Sequence, residues 1–449
     1  VSESNIHPVA LLATLAAGVY LLAARRSQAI LPVLLVACLI PGAQRLIVFT
    51  LDFNMVRLLI LFGWLRLLLR SELRPLRLNG LDLAFVAWIL LAGTGFVIRQ
   101  ADFGSFVYRL GFAFDALGIY FLFRMLLRHP ADTVRSVRYM AWCAAAVAIG
   151  ISIEWTTGRN VFSIFGGVPE ITWIRDGRLR CQGAFSHPIM AGTFGATLVP
   201  IFAGLWLAFP RRRVTGVVGA ASGLVIAAAS ASSGPALSVV AGLVAWAFWP
   251  WRRHTRALRW GLLVGAVVLH LVREKPVWHL AARASDLLGG EGYHRYALID
   301  AFIRNWREWW LVGIHSTGHW GFMLWDTTNQ YVQEGVTGGI LALLAFLATV
   351  VLAFRSAGLA GKAGRLMAPA RQPRDQRLWC WGLGAGLTAH AAAFMGVSYW
   401  GQIQFVLYLF FALIAAELAF ARAAHRARSR EPAEAPAVAP ALLQEPAES

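Results

Sequence analysis

Arg175, Arg178 and Arg180 stand just ahead of a Gly-Ala-Phe-Ser-His-Pro turn in the stretch TWIRDGRLRCQGAFSHPIMAG. Guanidinium groups stay charged and grip phosphate oxygens through paired donors, so this cluster suits a phosphate or diphosphate ester, with solvated loop charge as the alternative. A second group, Arg295, Arg304 and Arg307, lies in YHRYALIDAFIRNWREWWL, where Ile299, Phe302, Ile303, Trp306 and Trp310 recur at helical spacing. Groups able to move a proton accompany both: His187 in the first stretch, and His315, His319 and Asp326 after the second. An imidazole with an ordinary pKa of about 6.5 suits a base near neutral pH, and a carboxylate serves where the electrophile needs little help. No Gly-rich phosphate loop, Asp-x-Asp metal pair or Ser-His-Asp order occurs in these segments. The cysteines Cys38, Cys143, Cys181 and Cys380 have no metal-ligand spacing, and four free thiols are expected.

These groups must be held by membrane helices. The chain of 449 residues is 58% hydrophobic and only 14% charged, against roughly 25% charge in a soluble protein, which excludes an ordinary water-soluble enzyme. Apolar stretches run over about 8 to 24, 28 to 48, 54 to 70, 81 to 99, 105 to 127, 137 to 154, 188 to 209, 214 to 231, 233 to 251, 257 to 273, 334 to 354, 379 to 399 and 403 to 422. The fold expected is all-α, a polytopic transmembrane bundle of about 12 or 13 spans with amphipathic helices in a long outer loop. Residues 1–425 form that single unit, and 426–449, rich in Ala, Pro and Glu, form a disordered cytoplasmic tail.

The distribution of arginine orients the bundle. With 41 Lys and Arg against 23 Asp and Glu the formal charge is +18, which in a soluble chain would suggest nucleic acid as a partner. Here the positive residues collect in alternate loops, at Arg25/Arg26, Arg70/Arg74/Arg77, Arg124/Arg128/Arg135/Arg138, Arg211 to Arg213, Arg252 to Arg259 and Arg355 to Arg377. The positive-inside rule places those loops in the cytoplasm, so the charge reports topology and contact with anionic lipid, and nucleic-acid binding loses its support. The N-terminus and the loops near Asp52, Asp102, Ser232 and Trp400 are then outside. So are two long polar segments, about 155 to 187 and 274 to 333, which carry the candidate chemistry. In the second, PVWHLAARASDLL from Pro276 and the stretch from Tyr293 read as amphipathic helices lying along the bilayer surface.

Ionisable residues also fall within the apolar stretches: Arg45, Arg57, Arg66, Arg109, Asp115, Glu154, His270, His390 and Glu417. Each is costly in lipid unless paired or solvated, which makes it a functional candidate. Arg45, Arg57 and Arg109 fall at the depth of an outer-leaflet diphosphate headgroup. Arg109 and Asp115 are spaced for partners on other helices. Arg66 and Glu417, near the inner surface, can snorkel and read as structural, as do His270 and His390.

RLRCQGAFSHPIMAG and YHRYALIDAFIRNWREWWLVGIHSTGHWG…DTTNQYVQEGVTGGILALLAF, set among many spans, resemble the O-antigen ligase and O-antigen polymerase family of bacterial envelope glycosyltransferases. The resemblance spans roughly residues 30 to 420, with the specific motifs confined to the two outer loops. It implies glycosyl transfer on the periplasmic face of the inner membrane, from an undecaprenyl-diphosphate-linked oligosaccharide to an acceptor hydroxyl, with no cofactor and no required metal. It further implies that Arg180 or Arg178, with Arg295, hold the donor diphosphate. Trp310 to Ile314 matches the family's Gly-containing turn, and Thr328 to Val332 its His-Asn-x-Tyr-Leu segment. Ligases of the family place a proposed base, a histidine, where this chain has Thr328; His315, His319, Asp326 and His187 are the alternatives, with His319 and Asp326 favoured.

That departure favours a polymerase of exopolysaccharide or O-antigen, whose acceptor is another lipid-linked glycan, over a ligase that transfers glycan to lipid A core. A chain-length regulator is a further expected partner of a polymerase. A transporter or flippase of lipid-linked glycan is the reading from another class, in which intramembrane arginines line a path. The two polar outer loops, and the lack of the repeats common in transporters, count against it.

Overall fold

The structure, a computed structural model, describes residues 6–48, 51–273, 276–280, 292–365 and 372–429. It is 76% helical. The helices are α1 (Pro8–Ala23), α2 (Ile30–Leu39), α3 (Met55–Leu69), α4 (Gly80–Gln100), α5 (Phe103–Leu126), α6 (Pro130–Thr157), α7 (Pro188–Ala208), α8 (Arg213–Ala229), α9 (Ser233–Ala247), α10 (Thr255–Val272), α11 (Gly292–Arg304), α12 (Trp306–Trp309), α13 (Gln330–Lys362), α14 (Pro373–Ala393) and α15 (Gln402–Arg428). Two antiparallel hairpins complete it, β1 (Arg45–Val48) with β2 (Leu51–Asn54), and β3 (Trp173–Arg175) with β4 (Arg178–Arg180). Among the described residues, 8 helices are long and apolar enough to cross a membrane, and α1, α9 and the helical segment containing α2 are shorter apolar ones. Together with α3 and α14, they fall on the apolar stretches read from the sequence, as a multi-pass helical bundle requires.

Several boundaries differ by a turn or two, and two of the differences change a reading. The stretch from 28 to 48 ends as a helix at Leu39 and gives way to the β1–β2 hairpin, so Arg45 lies on an exposed strand paired with Asp52 at 3.0 Å. Pro41 and Gly42 interrupt the apolar run there, and proline and glycine end helices. At the other end α15 runs past residue 425 to Arg428; the rest of the tail, 430–449, lies outside the described residues.

α15 is buried along most of its length, with α5 and α13 packed most closely beside it. Small residues set the closest approaches. A Cβ on Gly195 would sit 2.5 Å from the Gly223 carbonyl of α8, and one on Gly204 would sit 3.0 Å from Gly382 of α14. Lipid gives apolar helices no hydrophobic reason to associate, so such backbone contact is what joins them. By contrast no residue of α10 is buried.

The intramembrane charges at the arginine-rich end are tied into the protein. Arg66, fully buried, forms a two-pronged pair with Glu72 at 2.9 Å and donates to the Leu21 and Ala24 carbonyls. Glu417 accepts from Thr133, Gln376 and Trp379 at 2.6, 2.9 and 2.8 Å. Both are structural, as expected, but neither snorkels: each finds its donors or acceptors on neighbouring helices. Arg124, Tyr120 and Asp82 make a third buried knot, with Arg124 Nε 2.8 Å and the Tyr120 hydroxyl 2.6 Å from the carboxylate.

Candidate functional site

The opposite end of the bundle carries the segment between α6 and α7, the α8–α9 turn, α11, the start of α13 and the residues joining α14 to α15. Glu154, in the last turns of α6, pins the first of these. Its buried carboxylate accepts from the Thr172 hydroxyl at 3.0 Å and the backbone N–H groups of Gln182 and Gly183 at 3.1 and 2.8 Å. Asn160 adds a bond to the Gly183 carbonyl at 2.8 Å, and the Cys181 N–H joins the end of α8 at the Ala229 carbonyl, 3.0 Å away. The strand that bears Arg178 and Arg180 is therefore fixed from both sides. Cys181 is buried, and its thiol is pushed up to about 12 by burial and then by the Glu154 charge, which leaves it unreactive.

Arg180 then reaches the α8–α9 turn, its Nη2 donating to Ser232 Oγ at 3.0 Å. Arg295, in the first turn of α11, donates from Nη2 to the next hydroxyl, Ser233 Oγ, at 3.4 Å. Gly396 makes room for it, since a Cβ there would stand 3.2 Å from the Arg295 guanidinium carbon. Two arginines from distant parts of the sequence thus meet on consecutive serines. Arg178 lies on the same strand and is exposed, as is Arg175, whose Nε is 3.7 Å from Asp176.

His187 caps α7, its Nδ1 accepting from the Ile189 N–H at 3.2 Å. Trp173 and Trp400 flank the ring at 6.3 and 6.2 Å between centroids, and Trp400 is fixed by donating to Ser186 Oγ at 2.9 Å. Burial, and then the nearby Arg180 charge, push the His187 imidazole down to about 4. It is neutral at pH 7 and a weak proton acceptor there.

The other histidines expected from the sequence lie apart. His319 Nε2 is 2.7 Å from Glu308 Oε2, whose carboxyl is held below its usual range by hydrogen bonds from Trp320 and then His319. His315 is exposed, and Asp326 is exposed in the turn after Leu324. The Asp326 N–H donates to the Met323 carbonyl at 3.3 Å. Arg57 is engaged by Asp115 through two bonds of 2.7 Å, with Asn54 completing the group. The partner expected for Asp115 on another helix is therefore Arg57. Among the described residues Arg109 forms no ion pair at contact distance; it lies over the Phe96 ring at 3.9 Å.

Sequence reasoning passed over one residue here. His294, beside Arg295 on α11, places Nδ1 3.5 Å from Thr328 Oγ1 and Nε2 3.1 Å from the Met323 carbonyl. Its only sequence signal is adjacency to a nominated arginine.

The long loop also packs on the bundle. α11 ends at Arg304, and the face it buries is Leu298, Ala301 and Phe302, with Trp309 of α12 stacked on Phe302 at 4.0 Å against Val332 and Val336. Of the residues at helical spacing, Phe302 is buried, whereas Ile303, Trp306 and Trp310 are exposed. Of the stretch from Pro276, residues 281–288 lie outside the described residues. Beyond α12 the chain inserts its Trp310–Ile314 turn into a break in α13 at Gly339, where φ is 77°. The Ile340 N–H donates to Trp310 O at 2.7 Å, the Ile314 N–H to Val336 O at 2.8 Å, and Arg99 to Val336 O at 2.6 Å. Backbone groups freed within a membrane helix need such partners.

No protein-family model matches the chain, and no curated protein matches it.

Proposed function

We propose that this protein is a glycosyltransferase of the bacterial inner membrane, with its site on the periplasmic face and an undecaprenyl-diphosphate-linked oligosaccharide as donor. The observation that carries the reading is the convergence of Arg180 and Arg295 on Ser232 and Ser233. Two guanidiniums with adjacent hydroxyl groups supply the donors that a diphosphate needs, at the bundle end remote from the arginine-rich loops that the positive-inside rule assigns to the cytoplasm. The exposed indoles of Trp173 and Trp400 add apolar faces on which sugar rings can lie.

The chemistry follows from that arrangement. As the bond between the anomeric carbon and the diphosphate breaks, negative charge grows on the leaving oxygens, and fixed arginines stabilise it most where water is partly excluded. The acceptor hydroxyl attacks the opposite side and gives up its proton, so a single in-line step inverts the anomeric centre.

Extension of exopolysaccharide or O-antigen is the product we assign, with another lipid-linked glycan as acceptor. Ligation to lipid A core is the second reading, and the His294–Thr328 contact favours it, because it supplies an imidazole where the sequence shows only threonine. Gel and mass analysis of envelope polysaccharide from cells with and without the protein separates them. Loss of long chains with single repeat units left on polyprenyl diphosphate supports polymerisation. Long chains retained on polyprenyl diphosphate over bare lipid A core support ligation. Unchanged polysaccharide in both respects refutes the proposal.

A further inference from the structure

We infer that Thr328 and His294 form the proton relay for the acceptor hydroxyl, with the Met323 carbonyl setting the tautomer of the imidazole. The inference rests on the glycosyl-transfer reading above and adds to it the group that removes the proton.

The tautomer follows from what a carbonyl can do. Oxygen of a backbone C=O only accepts, so His294 Nε2, 3.1 Å from Met323 O, carries the ring proton. In the neutral imidazole the lone pair is then on Nδ1, which faces Thr328 Oγ1 at 3.5 Å. The hydroxyl donates its hydrogen to Nδ1 and keeps its own lone pairs for a second hydroxyl group. A base held by one oriented acceptor, with an oxygen on its other nitrogen, is the arrangement that proton abstraction requires.

The protein builds this geometry at some cost. Met323 is a non-glycine residue at φ 57°, in the left-handed region, which costs of order 1 kcal/mol or more and persists only where its surroundings enforce it. The Asp326 N–H shares the same carbonyl at 3.3 Å, and Thr317 Oγ1 fixes the turn by donating to Leu324 O at 2.5 Å. Thr328 is placed by the start of α13, where Asn329 caps the helix by accepting from Tyr331 and Val332 and the Gln330 N–H donates to Phe394 O at 2.8 Å. His294 is next in sequence to Arg295, so the residue that grips the leaving group and the residue that takes the proton ride on one helical turn.

The charged neighbours of the relay are Arg295 on its own helix and Asp326 in the facing turn. Two imidazoles on neighbouring elements are His187, beside Arg180, which already accepts the Ile189 N–H on Nδ1, and His279, whose ring lies 5.0 Å from that of Tyr296 on α11. In the step itself the acceptor O–H proton passes to Thr328 Oγ1 as the threonine proton passes to His294 Nδ1. The acceptor oxygen bonds to the anomeric carbon, and the electron pair of the breaking bond leaves on the diphosphate. The imidazolium so formed then loses its added proton to solvent.

The test is steady-state turnover of a purified polyprenyl-diphosphate-linked repeat unit by the full chain in proteoliposomes, over pH 5 to 9, for wild type, His294→Gln, Thr328→Val, Thr328→Ser and the double variant His294→Gln/Thr328→Val. Removing a general base should lower kcat about 100-fold or more, with donor KM nearly unchanged, and should abolish the acidic limb of the pH profile. Thr328→Ser, which keeps the hydroxyl, should retain far more activity than Thr328→Val, and the double variant should be no worse than the weaker single one. Wild-type kcat and pH profile in His294→Gln, with turnover still lost in Arg180→Ala, overturn the relay alone. No turnover by wild type overturns both the relay and the function it serves.

Discussion

Arg180 and Arg295 hold consecutive hydroxyl groups of one turn, Ser232 Oγ at 3.0 Å and Ser233 Oγ at 3.4 Å. One arginine comes from a strand pinned by Glu154, the other from a helix packed on α13, and the serines come from between two apolar spans. This juxtaposition gathers three separate segments into one cationic face, which the proposal above assigns to the donor diphosphate.

The first prediction concerns those arginines. Arg180→Ala and Arg295→Ala should each abolish glycan extension while leaving expression and membrane insertion intact. Lysine should restore little in either place, since it lacks the paired donors of a guanidinium. Polysaccharide gels and membrane fractionation check this.

A second prediction uses the imidazole of His187, pushed down to about 4 by burial and the Arg180 charge. The unfolded chain binds a proton near pH 6.5 and the folded one does not until about 4. The unfolded state therefore holds more protons in that window, and stability should fall as pH drops through it. His187→Asn keeps an acceptor for the Ile189 N–H and removes the titration. Thermal unfolding in detergent should show a flatter slope between pH 6.5 and 4 in that variant than in wild type.

The helix break gives a third. Gly313 and Gly339 both have positive φ, and a Cβ would stand 2.3 Å from Val336 O at the first and 2.4 Å from Leu311 O at the second. Gly313→Ala and Gly339→Ala should each expel the Trp310–Ile314 turn from α13. Their effects on melting should be less than additive, because either one breaks the same seam. Hydrogen exchange of the 310–314 amides checks that the turn has been released.

These glycines show how much could be read in advance. The spans, their order and the paired arginine loops follow from composition and charge, because lipid imposes strict rules on apolar length and on where arginine lies. The arginines of the site could be nominated one by one. Their meeting point could not, since Ser232 and Ser233 look like an ordinary polar turn. His294 was hidden for a similar reason: its value depends on Thr328 and the Met323 carbonyl, which only tertiary contact brings to it. Arg57 and Arg66 illustrate the reverse, arginines in apolar stretches that neighbouring carboxylates Asp115 and Glu72 account for.

A fourth prediction tests one such pair. Asp82 accepts from Arg124, Tyr120 and the Asn79 N–H in a fully buried knot. Asp82→Ala should destabilise the bundle by about 3–5 kcal/mol, because it strands a buried guanidinium. Asp82→Ala/Arg124→Leu should recover much of that loss. Unfolding in graded denaturant measures both.

The most direct test of the central claim is turnover of a purified polyprenyl-diphosphate-linked repeat unit by the protein in proteoliposomes, followed by gel and mass analysis of the glycan and of released polyprenyl diphosphate. The account predicts longer glycan and stoichiometric diphosphate release in wild type, undiminished by chelator, and neither product in Arg180→Ala or Arg295→Ala. An unconsumed donor in wild type, or wild-type turnover in both arginine variants, would contradict it.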